Sequence, residues 1–218
     1  MGEPMTTHTF DEQYWERHWG AGAASSMGTA PPNPYLVIEL SDLSPGTALD
    51  AGCGAGAEAI WLAERGWQVT AADIATEALA RAAARASAAG VDGRVDWVQA
   101  DLSTWEPAGS FDLVMTHYAH PAIPQLEFYD RIAAWVAPGG TLLIVGHLGG
   151  HGNGHGHGHG HDGEKPPPEA TVTAASITAR LDPAAWEIVT AVETERTVPR
   201  PDGSTKRLAD VVIRARRR

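Results

Sequence analysis

Acids, glycines and imidazoles recur in this sequence at spacings that suit a ligand site. Gly52, Gly54 and Gly56 alternate with Cys53 and Ala55, and Asp50 stands just ahead of them. Glycines at alternate positions let the backbone bend sharply and leave room for a ligand against bare main chain. Asp73 and Asp101 close two later apolar runs. An acid at the end of the second strand of a βαβ unit, with glycines at its first turn, marks a site for a nucleoside cofactor. The spacing Gly52, Gly54, Ala57 also satisfies the dinucleotide form G-x-G-x-x-A, which keeps a nicotinamide reading open. Asp50 points away from it, because a carboxylate there repels a pyrophosphate and suits a cation. Farther on, Thr116-His117-Tyr118-Ala119-His120-Pro121 brings two imidazoles together. Imidazole exchanges protons near neutral pH, so His120 and His117 are candidate bases or substrate contacts, with His147 a third. Tyr118 reads as packing more than chemistry, and Cys53 as a small residue filling tight space.

These residues need a frame. Thr47 to Asp50 is a short apolar strand, and Ala57 to Arg65 carries apolar residues at helical spacing until Gly66 stops it. Gln68 to Ala72 is the second strand, closed by Asp73. Thr76 is placed to cap a helix running to Ala89. Strands follow at Val95–Gln99, Phe111–Thr116 and Thr141–Val145, with an amphipathic helix over Gln125–Val136 and a turn at Pro138-Gly139-Gly140. Thr171 to Leu181 reads as helix. Trp186–Arg196 and Leu208–Arg216 read as a final antiparallel hairpin about Pro201-Asp202-Gly203. Ahead of all this, Phe10–Trp19 reads as a short helix capped by Asp11 and Tyr35–Asp42 as a second.

The acid-glycine run Asp50, Gly52, Gly54, Gly56, followed by Asp73, Asp101 and Pro138-Gly139-Gly140, resembles the class I S-adenosylmethionine (SAM) methyltransferases. The resemblance extends from about Asn33 to Arg218. It implies an α/β, Rossmann-like, seven-stranded, mostly parallel sheet with helices on both faces and a C-terminal antiparallel hairpin. It implies that Asp50 and the glycines hold SAM, that Asp73 with Ile74 lies at the ribose, and that Asp101 with Leu102 lies at the adenine. Residues 1–34 would form an N-terminal helix and lid, with Trp19 and Asn33 as further cofactor contacts, and residues 35–218 the SAM-binding domain. Within the class the likeness is to tellurite-resistance and thiopurine/thiocyanate methyltransferases, carried by Tyr14-Trp15, Trp19, Leu49 to Gly54, Asp101-Leu102 and Pro138 to Thr141. That implies a small-molecule acceptor with a soft nucleophile: a thiol, a halide or a chalcogen oxyanion. An O- or N-methyltransferase of specialised metabolism is the alternative.

A different activity is offered by residues 148–170, a His/Gly-rich low-complexity insert. His151, His155, His157, His159 and His161 put five imidazoles on a glycine-rich chain, which suits Ni, Zn or Cu. A metal-handling protein on a nucleoside-binding scaffold is therefore the competing reading. Composition narrows the rest. A net charge of −11 argues against general nucleic-acid binding. No apolar run has the length to span a membrane, and no secretory signal opens the chain. With Cys53 the single cysteine, an intramolecular disulfide is impossible. The expectation is a cytoplasmic monomer or homodimer acting on a small molecule.

Overall fold

The computed structural model describes residues 9–20, 28–149, 168–199 and 204–218. The chain enters through helix α1 (Glu12–Gly20) and helix α2 (Pro34–Leu40). Asp11 starts α1 by accepting from the Tyr14 amide at 2.8 Å, and Asn33 starts α2 by accepting from the Tyr35 amide at 3.1 Å. Alternating strands and helices follow: β1 (Thr47–Ala51), α3 (Ala57–Glu64), β2 (Gln68–Asp73), α4 (Thr76–Ala89), β3 (Val95–Gln99), β4 (Phe111–His117), α5 (Gln125–Ala134) and β5 (Val136–Leu148). A two-residue strand β6 (Thr171–Val172), a short α6 (Ala174–Thr178) and the long pair β7 (Trp186–Pro199) and β8 (Thr205–Arg217) complete it.

The sheet order is β3-β2-β1-β4-β5-β8-β7, with β6 paired to β5. Strands β1 to β6 pair in parallel, and β8 runs antiparallel to both β5 and β7. Both faces are covered, which explains apolar runs without polar alternation. Along β1, Leu49 packs with Phe128 and Ile132 of α5, while its neighbour Ala48 packs with Leu36 and Leu62 of the opposite layer. Each fully buried side chain of that size contributes about 1.5–3 kcal/mol. Among the described residues, no helix is long and apolar enough to cross a membrane.

Four expectations change in detail. The short β6 makes the sheet eight-stranded rather than seven-stranded. It arises because Thr171 and Val172, read as helix, instead pair with His147 and Leu148. Thr76 does not cap α4: Ala75 holds that position, and Thr76 gives its amide and hydroxyl to Glu16 of α1 at 2.7 and 2.6 Å. Finally, α5 stops at Ala134 and β5 starts at Val136, so Pro138-Gly139-Gly140 lies within the strand. There the chain advances from Val136 to Thr141 while β4 advances only from Phe111 to Leu113, a bulge that absorbs the turn.

Candidate active site

Parallel strands release their chains toward the same edge of the sheet, and a crevice forms there where the strand order reverses. Here β1 lies between β2 and β4, and a cavity of about 600 Å³ opens at that edge. Gly52, Gly54, Asp73, Ile74, Asp101, Leu102, His117, His120, Trp19 and Asn33 all line it. So do Glu58 of α3 and Arg85 of α4, neither of which a local motif marks.

Asp73 braces the glycine turn. Its Oδ2 accepts from the Gly54 amide at 2.8 Å and its Oδ1 from the Ala75 amide at 2.9 Å. Burial pushes its carboxyl up from the ordinary range, with those amides opposing. Asp101 uses Oδ1 for the Ser103 amide, at 2.9 Å, and the Ser103 hydroxyl. Asn33 spends its side-chain oxygen on α2 and donates its own amide to Glu58 Oε1 at 2.9 Å.

Asp50 and Gly56 do not line the cavity. Asp50 is 1% exposed, and its Oδ2 has no hydrogen-bond partner. Burial, then the charges of Glu58 and Asp73, hold its carboxyl well above the usual carboxylate range. The glycines serve the protein's own packing as much as a ligand. At Gly52, with φ +84°, a β-carbon would overlap the Cβ of Ala119; at Gly56, with φ +74°, it would stand 2.6 Å from the Trp97 ring. The turn is thereby pressed against the loop that carries the histidines.

That loop is organised by Gln125 at the start of α5. Gln125 Nε2 donates to the Ala119 carbonyl at 2.9 Å, which turns Oε1 toward His120 Nδ1, also at 2.9 Å. An oxygen can only accept, so Nδ1 carries the proton and Nε2 the lone pair. Burial lowers the His120 pKa, with the Gln125 bond opposing, and keeps the ring neutral. The ring stacks on His147 at 5.4 Å and lies 5.6 Å from Phe10, while its carbonyl accepts from Trp15 Nε1 at 3.2 Å. His117 differs: neither ring nitrogen has a partner, and burial pushes its pKa down. It is a neutral imidazole at the cavity wall with its hydrogen-bonding capacity unspent.

The remaining wall comes from the C-terminal hairpin. Arg196, Val198, Lys206 and Leu208 line the cavity from β7 and β8. Sequence reading missed them, although the alternation in Thr194-Glu195-Arg196-Thr197-Val198 would have put Arg196 and Val198 on one face. His151, His155, His157, His159 and His161 lie outside the described residues. Among the described residues, no group of three or more His, Cys, Asp or Glu side chains is arranged to hold a metal ion.

A cavity lined by the carboxylates of Asp73, Glu58 and Asp101 and by the apolar Trp19, Ile74 and Leu102 fits a cationic nucleoside better than a phosphate-bridged one. Comparison with known proteins agrees. Residues 48–140 match the family model described as a methyltransferase domain. Trans-aconitate 2-methyltransferase of Streptomyces avermitilis is 39% identical over 64% of this chain and 51% of its own length. Thiocyanate methyltransferase 1 of Brassica oleracea is 31% identical over 53% of this chain and 51% of its own length. The chain thus spans about half the length of these relatives. The N-methyltransferase NodS of Bradyrhizobium japonicum, solved in complex with S-adenosyl-L-homocysteine, superposes with a TM-score of 0.66 over 97% of this chain and 99% of that one, at 19% identity. That likeness gives the chain the Rossmann-like methyltransferase fold.

Proposed function

We propose that this protein, which carries a methyltransferase domain over residues 48–140, moves a methyl group from SAM to a small-molecule nucleophile. The observation that carries the reading is the Asp73-braced glycine turn opening into a cavity that His120 also lines. In this reading Gly52 and Gly54 lie along the cofactor, with Asp73 and Ile74 at its ribose and Asp101 and Leu102 at its adenine. Trp19 and Asn33 cover it from the N-terminal segment, and Trp19 offers a cation–π face. Glu58 supplies negative potential for a cation from the cavity wall, and Asp50 supports the turn from its buried position behind it.

SAM, when bound, supplies a methyl group on a positively charged sulfur. Holding the two reactants together supplies much of the rate of such a displacement. The bond from sulfur to methyl breaks with its electron pair left on sulfur, and the acceptor atom bonds the methyl. A soft anion such as a thiolate brings no proton, and we favour this class of acceptor. The thiocyanate methyltransferase relative supports it. An acceptor with an O–H or N–H must lose its proton, and His120 Nε2 is suited to take it. The tautomer that Gln125 imposes favours this second reading for O- or N-methylation. Metal handling by the His/Gly-rich insert rests on the sequence alone.

The test is calorimetry with S-adenosylhomocysteine, then a screen of thiols, halides, thiocyanate and phenols with a labelled methyl donor. Uptake of NAD(P) with no affinity for S-adenosylhomocysteine would overturn the proposal.

A further inference from the structure

The hairpin adds two cations, Arg196 and Lys206, to the cavity wall. Strands β7 and β8 pair Arg196 with Leu208 and Val198 with Lys206. Residues opposite each other in an antiparallel pair share a face, so these four side chains form one patch, with the two cations on its diagonal. The exposure pattern agrees: Thr194, Arg196 and Val198 are half-buried, while Glu195 and Thr197 between them are exposed.

Arg196 is held in place from behind. Its Nε donates to Asp210 Oδ2 at 2.7 Å and its Nη2 donates to Tyr118 Oη at 3.1 Å. Tyr118 in turn donates to Asp210 Oδ1 at 2.8 Å. Asp210 is wholly buried, whereas the Arg196 side chain is 23% exposed. These bonds occupy one edge of the planar guanidinium. Among the described residues Nη1 has no partner, so its two N–H groups remain for a ligand. A pinned guanidinium with an open edge is the geometry that accepts a carboxylate end-on.

We propose that the methyl acceptor is an organic acid, whose carboxylate docks on Arg196 while its nucleophile lies toward His120. The assignment rests on the methyltransferase reading above and adds the acceptor's second functional group. Val198 and Leu208 beside the guanidinium are apolar, which suits the carbon skeleton of such an acid; a bare inorganic anion would leave them unfilled. Charge also gives the acceptor a direction. Its anion is drawn to the hairpin and kept from Asp73, Glu58 and Asp101. Asp210 and Tyr118 are positioning residues, acting through Arg196.

The test uses the full chain saturated with S-adenosylhomocysteine. Calorimetry compares matched probes: 3-mercaptopropionate with 3-mercaptopropanol, and 4-hydroxybenzoate with 4-hydroxybenzamide. At least one acid should bind tenfold or more tightly than its neutral partner. Arg196→Gln should remove that preference, and Arg196→Lys should retain part of it. Affinity for S-adenosylhomocysteine should stay within twofold throughout. Because Arg196→Gln strands a buried carboxylate, Arg196→Gln with Asp210→Asn is the companion variant, and it should lose the preference with its fold intact. Equal binding of every acid and its neutral partner, or a preference that survives both variants, overturns the proposal. So does thiocyanate or iodide binding as tightly as the best acid. Loss of S-adenosylhomocysteine binding by the wild-type chain would instead count against the methyltransferase reading itself.

Discussion

Replacing Gly52 with alanine tests the link between the glycine turn and the histidine loop. Gly52 has φ +84°, where an L-residue carries about 1–2 kcal/mol of strain. Its new methyl would overlap the Cβ of Ala119, whose Cα lies 3.5 Å away. Packed carbons sit about 3.5–4.0 Å apart, so the loop must retreat by about 1.5 Å. Overpacking of this kind costs a further 1–3 kcal/mol or so. Taking the sum as about 3 kcal/mol, the melting temperature of a chain this size should fall by roughly 6–12 °C. The retreat also pulls on the Ala119 carbonyl that orients Gln125, and through it His120. A misplacement of about 1 Å can cost about a hundredfold in turnover. Differential scanning calorimetry reads the first effect, and methyl transfer to the best acceptor at saturating donor reads the second. A Gly52→Ala protein that melts within a degree or two of wild type and turns over normally would refute the coupling.

Asp73→Ala removes the carboxylate assigned to the cofactor's ribose, and one hydrogen bond to a charged group contributes about 1.5–3 kcal/mol. Affinity for S-adenosylhomocysteine should drop by roughly tenfold to a hundredfold in calorimetry, and an unchanged value would remove Asp73 from the site. His120→Ala should slow transfer to phenols by about 10²–10⁴ while sparing thiolates, and equal losses for both would contradict its role as base. Since burial lowers the His120 pKa below its ordinary 6.5, the wild-type rate with phenols should be flat above that pH and fall only in more acid solution. A rise continuing through pH 8 at constant acceptor ionisation would count against it. Asp50 has a raised folded-state pKa, so the folded chain keeps a proton that the unfolded chain releases above about 3.8. Stability that is fully present below that pH is lost as pH climbs toward the raised value. Asp50→Asn should therefore melt higher than wild type near neutral pH, by a margin that shrinks toward pH 4; a constant margin would contradict the shift.

What the sequence determined by itself was local. The helix and strand periods of residues 47–101, the three glycines and the acids after β2 and β3 are all short-range signals, and each was legible because its cause lies within a few residues. The same holds for Asp11 and α1. Errors arose where a distant partner decided the outcome. Thr171 and Val172 became strand because β5 offered them an edge, and Thr76 found Glu16 of α1 instead of its own helix. The cavity shows the division most clearly. Asp50 stands in the motif yet lies buried behind the wall, while Arg196, separated from Tyr118 by 78 residues, faces inward. Which side chains share a cavity depends on how the sheet is ordered and how the last hairpin folds back over it. Those are long-range choices, made by burial and by pairing between strands far apart in the chain, and no short window of residues contains them.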